Sequence, residues 1–140
     1  MRLHSFPTHA LPISAAHALL GGADFLIQPS HYHSSNALCA IGMRYGVLPL
    51  IYANSGLEDT VIDVDADARH GTGFMFRQYT GDGLIEGLDA ARKRYKDAAE
   101  WRTLVMRALK QDFSWQATAK NYLKAYRRVT RRVKNVAVDD

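Results

Sequence analysis

Residues 23–45, ADFLIQPSHYHSSNALCAIGMRY, decide the fold of this chain. They predict a short buried strand over Asp24 to Gln28, a polar turn, and a helix from about Ala37 to Tyr45. The predicted apolar face of this helix consists of Leu38, Ile41 and Tyr45. Pro29 ends the strand because proline has no backbone N–H to donate to a sheet. Ligands bind at the carboxyl ends of parallel strands, and a helix N-terminus attracts anions. The turn is therefore a candidate site for a phosphate or a sugar.

Working outward, two further apolar segments have the composition of buried strands, Val47 to Tyr52 and Phe74 to Phe76. Helices are predicted from Ile13 to Leu20, after Thr80 or Asp82, after Asp97 and after Ser114, and the stretch from Asp63 to Gly73 is predicted to be a polar loop. Short strands that alternate with helices, without hairpin signals, indicate a parallel α/β sheet. Three or four strands are few, so the pattern favours the second half of a Rossmann-type domain.

The charge of the chain is uneven. The formal net charge is +4, and residues 102–134 carry ten basic residues and one acid, Asp112. Such a segment suits phosphates, a membrane surface or an acidic partner, and a solvated helix face is the favoured interpretation. In the last helix Trp115, Tyr122 and Tyr126 belong to an apolar stripe, for which core packing is favoured over a sugar-stacking platform.

Cysteine content and the length of the apolar runs indicate where in the cell the protein is expected. The single cysteine, Cys39, excludes an intrachain disulfide and is expected to be a small core residue. No apolar run is long enough to span a bilayer, and the first residues lack a hydrophobic signal core. We therefore expect a cytoplasmic protein that does not bind membranes, with no nucleic-acid partner.

Four segments in order carry a specific resemblance. They are GGADFLIQPS (21–30), RYGVLPLIYANSGLEDTV (44–61), GTGFMF (71–76) and DFSWQATAKNYLKAY (112–126). Together they resemble the C-terminal part of bacterial glycogen synthases and plant starch synthases, over roughly residues 13–134. The resemblance implies a partial Rossmann-like, three-layer parallel sheet with flanking helices and a long C-terminal helix, the second half of the C-terminal domain of a glycosyltransferase B fold.

This resemblance also implies an activity and a domain organisation. The family transfers glucose from ADP-glucose to the non-reducing end of an α-1,4-glucan with retention of configuration, and no cofactor is expected. Residues 1–113 would form a partial nucleotide-sugar-binding domain, residues 114–134 the C-terminal helix, and residues 135–140 a flexible tail. In the family the C-terminal helix crosses back to the N-terminal domain.

Two turns would hold the donor in such a protein. His33 stands where the family has a glutamate that contacts the donor glucose, and it is the candidate catalytic residue. In the second turn Ser55 replaces a family glycine. The implied nucleotide-sugar-binding residues are Tyr32, Ser35, Asn36, Ala37, Leu38, Ser55, Gly56 and Leu57.

The departures from the family pattern affect the chemistry. A histidine carries no carboxylate, so His33 cannot stabilise a developing positive charge as a glutamate does. Asn36 and Ser55 add side chains where the family has glycine for close backbone approach. We therefore expect a truncated transferase that is inactive without its N-terminal half. The alternative is a non-catalytic relative that binds a nucleotide, a glucan or a protein.

Other motifs receive simpler interpretations. His31 and His33 lack the further ligands of a zinc site, and the acidic repeat at Asp63, Asp65 and Asp67 lacks the remaining positions of a calcium loop. No metal is expected, and the acidic repeat is predicted to be a solvated loop. An incomplete parallel sheet exposes its edges, so we expect a homo-oligomer or association with a missing N-terminal half. The ligands implied by the resemblance are ADP-glucose or ADP, for which we expect weak or lost binding, and an α-glucan.

Overall fold

A computed structural model describes residues 12–32, 35–53 and 56–136, the last six by their backbone alone. Within these residues three parallel strands form one sheet in the order β1-β2-β3, with helices around it. In chain order the elements are α1 (Ile13–Gly21), β1 (Phe25–Gln28), α2 (Ala37–Arg44), β2 (Leu48–Tyr52), β3 (Phe74–Phe76), α3 (Gly81–Tyr95), α4 (Ala98–Leu109) and α5 (Trp115–Val136). The parallel α/β sheet predicted from the sequence is therefore confirmed.

The central strand β2 is buried along its whole length. It pairs with β1 at Phe25↔Leu48 and with β3 at Leu50↔Phe74, both in parallel. A strand with a neighbour on each side and helices on both faces reads as a continuous apolar run, as LPLIY does.

Helix α2 covers one face of the sheet, but with a different face from the one the sequence predicts. The expected stripe of Leu38, Ile41 and Tyr45 is exposed, whereas Cys39 and Met43 are fully buried. Both sets recur at helical spacing, so periodicity alone does not choose between them. The core position predicted for Cys39 is confirmed.

The opposite face is covered by α3 and α4. Trp101 of α4 lies 4.7 Å from Phe25 and 6.2 Å from Phe74 between ring centroids, so three elements share one aromatic cluster. Of the two caps that the sequence allows, Thr80 and Asp82, the structure uses Thr80, since its hydroxyl accepts a hydrogen bond from the Gly83 N–H at 3.1 Å. The cap fixes where α3 begins and holds it against β3.

The segment before β3 is more compact than the predicted polar loop. Asp63, Val64 and Thr72 are buried, and Asp63 forms a parallel bridge with Gly73. A Cβ on Gly73 would lie 2.6 Å from the Pro49 carbonyl oxygen, so glycine permits this close approach. The prediction of a solvated loop is wrong for Asp63, because the bridge keeps this residue against the sheet. The same prediction is confirmed for Asp65, which is exposed.

Helix α5 begins after Ser114 as predicted, and the Ser114 hydroxyl accepts a hydrogen bond from the Ala117 N–H at 3.3 Å. Every residue from 119 to 130 is exposed, so the predicted core packing of its apolar stripe is wrong for the chain by itself. The helix continues to Val136, which makes the first two residues of the predicted tail helical. Residues 137–140 lie outside the described residues, and the division at residue 113 stays a prediction.

No helix in the described ranges combines the length and the apolar composition needed to cross a bilayer.

Candidate functional site

The carboxyl ends of the three strands meet at one edge of the sheet, which we call the carboxyl edge. β1 ends there at Gln28, β2 at Tyr52 and β3 at Phe76. Gln28 is 5% exposed. Its Oε1 accepts a hydrogen bond from the Cys39 thiol at 2.9 Å, and its buried Nε2 has no partner among the described residues. The end of β1 is therefore tied to α2 by a buried polar contact.

Cys39 is not a nucleophile in this arrangement. Burial raises the pKa of its thiol to about 11, so the thiol stays protonated at neutral pH. The thiolate is the reactive form of cysteine. Cys39 therefore acts as a packing residue and hydrogen-bond donor below the carboxyl edge.

The start of α2 reaches this edge, as the sequence predicts. Asn36 occupies the N-cap position, but its Nδ2 donates to Thr60 Oγ1 at 3.0 Å instead of its side chain capping the helix. Ser35 Oγ accepts from the Ala37 N–H at 3.2 Å. The Asn36 side chain, which the sequence placed in the path of a ligand, is thus drawn sideways toward the second turn.

The second turn is built around Gly56 and Leu57. Gly56 has φ +87°, a left-handed conformation that favours glycine, and its N–H donates to Glu58 Oε2 at 2.9 Å. Leu57 is buried and anchors the turn in the core. The Asn36–Thr60 hydrogen bond joins this turn to α2, so the structure brings the two predicted turns together.

The remaining predicted residues divide into two groups. Tyr32 is strongly exposed, and Leu38 is exposed on the outward face of α2. His33 and Ser55 lie outside the described residues, so their roles stay predictions.

Three aromatic residues at the carboxyl edge were not among the predicted site residues. The His31 ring stacks on Tyr52 with centroids 5.5 Å apart, and Tyr79 meets His31 at 4.8 Å and 84°. Tyr52 and Tyr79 are 4.8 Å apart. We call His31, Tyr52 and Tyr79 the aromatic corner. Each residue ends or closely follows a different strand, a signal that the parallel topology makes readable in the sequence.

The charge at the carboxyl edge is mostly negative. Its described residues are 28–32, 35–38, 52–53, 56–60 and 76–80, and among them Arg77 is the only lysine or arginine. Arg77 pairs with Asp63 at 3.4 Å, while Glu58 and Asp59 add negative charge. Burial raises the pKa of Asp63, and the charge of Arg77 acts in the opposite direction. The described edge therefore offers no unpaired cation to a diphosphate.

The carboxylates of the acidic repeat form hydrogen bonds and ion pairs with other residues of this chain. Asp67 accepts a hydrogen bond from the His70 backbone N–H at 3.0 Å and contacts His70 Nδ1 at 2.9 Å, and these bonds lower the pKa of Asp67. Asp65 and Glu100 both pair with Arg94. In the described ranges, no group of three or more histidine, cysteine or acidic residues is arranged to hold a metal ion.

No protein-family model matches the chain, but individual glycogen synthases do. The glycogen synthase of Histophilus somni (strain 129Pt) is 37% identical over 114 residues, which make up 79% of this chain and 24% of that protein. The glycogen synthase of Chlorobium luteolum is 37% identical over 116 residues, 83% of this chain and 23% of that protein. The chain spans about a quarter of the length of the curated relatives it matches.

A solved structure matches at the level of the fold as well. It is the catalytic domain of starch synthase IV from Arabidopsis thaliana, bound to ADP and acarbose. The match has a TM-score of 0.75 at 31% sequence identity and covers 84% of this chain and 25% of that chain.

Proposed function

Because this chain is related to the C-terminal part of the glycogen and starch synthases, we propose that it forms the nucleotide-sugar-binding part of a glucosyltransferase of that family. The family reaction is the retaining transfer of glucose from ADP-glucose to an α-1,4-glucan. The observation that carries the proposal is the joining of two turns at the carboxyl edge, the start of α2 and the turn at Gly56, through the Asn36–Thr60 hydrogen bond. Ligands of open parallel sheets bind at this edge.

Each turn has a role in this proposal. The backbone N–H of Leu38, at the start of α2, has no partner within the helix and would bind the anionic part of the donor, while the Ala37 N–H already donates to Ser35 Oγ. Gly56, with its positive φ, would bring the second turn close to the sugar. His33 would lie beside the donor glucose, at the position of the family glutamate.

The first test is an activity measurement with the chain alone. We expect no glucose transfer from ADP-glucose to a maltooligosaccharide, because His33 supplies no carboxylate and residues of a second domain are needed. Calorimetric titration with ADP-glucose should nevertheless show binding. Robust turnover by the chain alone would contradict the assigned role of His33, and absence of ADP-glucose binding would contradict the donor site.

The second test restores the carboxylate. In a complete two-domain protein, His33→Glu should raise the transfer rate, because a glutamate stabilises positive charge in the transition state. His70→Glu, at an exposed histidine beside Asp67, is the matched control and should leave the rate unchanged. Equal transfer rates for His33→Glu and the unaltered protein would show that the missing carboxylate is not what limits the reaction.

A second candidate function is a non-catalytic binding module. It is favoured by the charge at the carboxyl edge, where the only described cation, Arg77, is already paired with Asp63. Such a protein would bind a glucan or a protein partner without transferring glucose. Parallel titrations with ADP, ADP-glucose and maltooligosaccharide separate the two functions, since only the transferase requires affinity for the nucleotide.

The surface of the chain supports association with a further polypeptide. β1 and β3 are the two edge strands of the described sheet, and exposed edge strands are sites for pairing. An open groove of about 950 Å³ lies between α2 and the start of α5, lined in part by Ile41, Phe113 and Trp115. We expect a homo-oligomer, or a complex with an N-terminal half. A strictly monomeric species in analytical ultracentrifugation, with and without that half, would contradict this.

A further inference from the structure

We propose that the aromatic corner of His31, Tyr52 and Tyr79 is a binding site for an uncharged oligosaccharide. The inference rests on the proposed function for the class of sugar, an α-1,4-linked glucan. It goes further by assigning three residues of this chain to the saccharide itself, apart from the nucleotide diphosphate.

The geometry of the corner suits a sugar ring. The ring planes of His31 and Tyr79 are nearly perpendicular, at 84°, so the two rings form two sides of a corner. His31 is exposed, and Tyr79 is 51% exposed. Tyr52 lies beneath them and is itself held by Phe76, 5.5 Å away. The two exposed rings are thus supported by core packing and presented to solvent in a fixed arrangement.

The polar atoms of the corner complement sugar hydroxyls. Within the described part of the chain, no hydrogen bond engages the imidazole nitrogens of His31 or the phenol oxygen of Tyr79. A neutral imidazole offers one donor and one acceptor, and a phenol offers both. A pyranose presents an apolar C–H face between polar hydroxyls, so an aromatic ring with a polar edge matches both parts of it.

Charge decides between a saccharide and a diphosphate as the occupant. The corner itself contains no lysine or arginine, and the only described cation of the edge, Arg77, pairs with Asp63. A diphosphate would therefore find no unpaired lysine or arginine here, whereas an uncharged sugar ring needs none.

The test is a titration of the full chain with maltoheptaose, followed by calorimetry and by the aromatic side-chain NMR resonances. We expect saturable binding with shifts of the His31 and Tyr79 ring signals. Tyr79→Ala should weaken binding about tenfold, as expected for the loss of one aromatic contact worth about 1.4 kcal/mol. Tyr79→Phe, which keeps the ring, should lose less. Tyr122→Ala, at a half-exposed tyrosine of α5, is the matched control and should bind as the unaltered chain does.

The possible outcomes separate this inference from the proposed donor site. Maltoheptaose binding that Tyr79→Ala leaves intact, or that Tyr122→Ala abolishes, would overturn the aromatic corner as the site. Binding of ADP-glucose without any binding of maltoheptaose would also overturn it, while the donor site would stand. Maltoheptaose binding that depends on Tyr79, without ADP-glucose binding, would support the inference and contradict the donor site. Circular dichroism of each variant checks that it is folded, and His31→Gln provides a second test if Tyr79→Ala is not.

Discussion

Strand β2 and helix α5 carry two regular apolar patterns, and the fold treats them in opposite ways. All five residues of β2 are buried. The apolar stripe of α5 includes Trp115, Tyr122 and Tyr126, and all three are exposed. Both patterns predict their secondary structure correctly. The difference teaches that periodicity identifies the face that is fit for burial, whereas a partner must be present for burial to occur.

The cause of the difference lies in what surrounds each element. β2 has a hydrogen-bonded strand on each side, α2 on one face, and α3 and α4 on the other. α5 follows all of these elements in the chain, and no described element covers residues 119–130.

The largest expected change in the free energy of unfolding is in the buried core around β2. Phe74, which pairs with β2 and packs on Trp101, is 1% exposed. Phe74→Ala should reduce the free energy of unfolding by about 3–5 kcal/mol, because it removes buried surface and leaves a cavity. Urea denaturation followed by far-UV circular dichroism measures this. A loss below about 1 kcal/mol would mean that the sheet core is not as tightly packed as described.

A close backbone approach supplies the second prediction. Gly73→Ala places a Cβ 2.6 Å from the Pro49 carbonyl oxygen and 2.7 Å from Val61 Cγ1, so backbone must move. We expect a loss of about 1–3 kcal/mol, typical of overpacking. Gly81→Ala is the matched control, because nothing lies within 4 Å of its added Cβ. Equal stabilities of the two variants in thermal unfolding would contradict the tight contact between β2 and the segment before β3.

The buried thiol between α2 and the sheet provides a pH test. Burial raises the pKa of Cys39 from 9.0 to about 11, so the unfolded chain loses this proton at a lower pH than the folded chain does. The contribution of the neutral thiol is therefore complete below about pH 9 and is lost between about pH 9 and pH 11. From pH 8 to pH 10, the unaltered chain should lose on the order of 1 kcal/mol more stability than Cys39→Ala does. Parallel pH profiles would contradict the burial of the thiol.

The cap of α3 gives a smaller effect. Thr80→Ala removes the acceptor of the Gly83 N–H and should cost about 1 kcal/mol. Thr80→Ser keeps a hydroxyl and should retain most of the stability. Thr130→Ala, within the exposed α5, should change stability less, because its hydroxyl bonds only to carbonyls of its own helix. The order of the three variants in chemical denaturation tests the cap.

The smallest effect is expected at the exposed end of the comparison. Tyr126 is 64% exposed, so Tyr126→Ala should change the stability of the chain by no more than about 0.5 kcal/mol. If the chain associates through α5, the same variant should weaken association measured by analytical ultracentrifugation. A loss comparable to that of Phe74→Ala, in a monomeric sample, would show that the stripe is covered within the chain.

The sequence predicted most of the fold. The three strands, the helices around them and the caps at Thr80 and Ser114 agree with the structure. The match to the starch synthase IV structure confirms the expected glycosyltransferase B architecture. Two exceptions depend on contacts between residues that are distant in the chain. Helix α2 has apolar residues on two sides, and Asp63 is buried through a bridge to Gly73 ten residues away. Neither outcome follows from local pattern, because each depends on a distant neighbour.

The candidate site was predicted in part. The described parts of the two turns lie at the carboxyl edge and are joined through Asn36 and Thr60, while the roles of their residues stay predictions. The resemblance did not indicate the aromatic corner, because His31 and Tyr79 come from turns 48 positions apart in the chain. Their contact exists only because β1 and β3 flank the same strand.

By itself, the sequence determined the secondary structure, the parallel sheet and the resemblance to glycogen and starch synthases, because these depend on residue spacing and on short motifs. Tertiary structure alone decided which faces are buried and which side chains meet at the carboxyl edge. Burial and contact depend on partners far apart in the chain, and strand order is what brings those partners together. The local sequence therefore sets where the turn within residues 23–45 lies, whereas tertiary contacts set its chemical surroundings. The ring of His31 in this turn contacts a ring of β2 and a ring of the turn after β3.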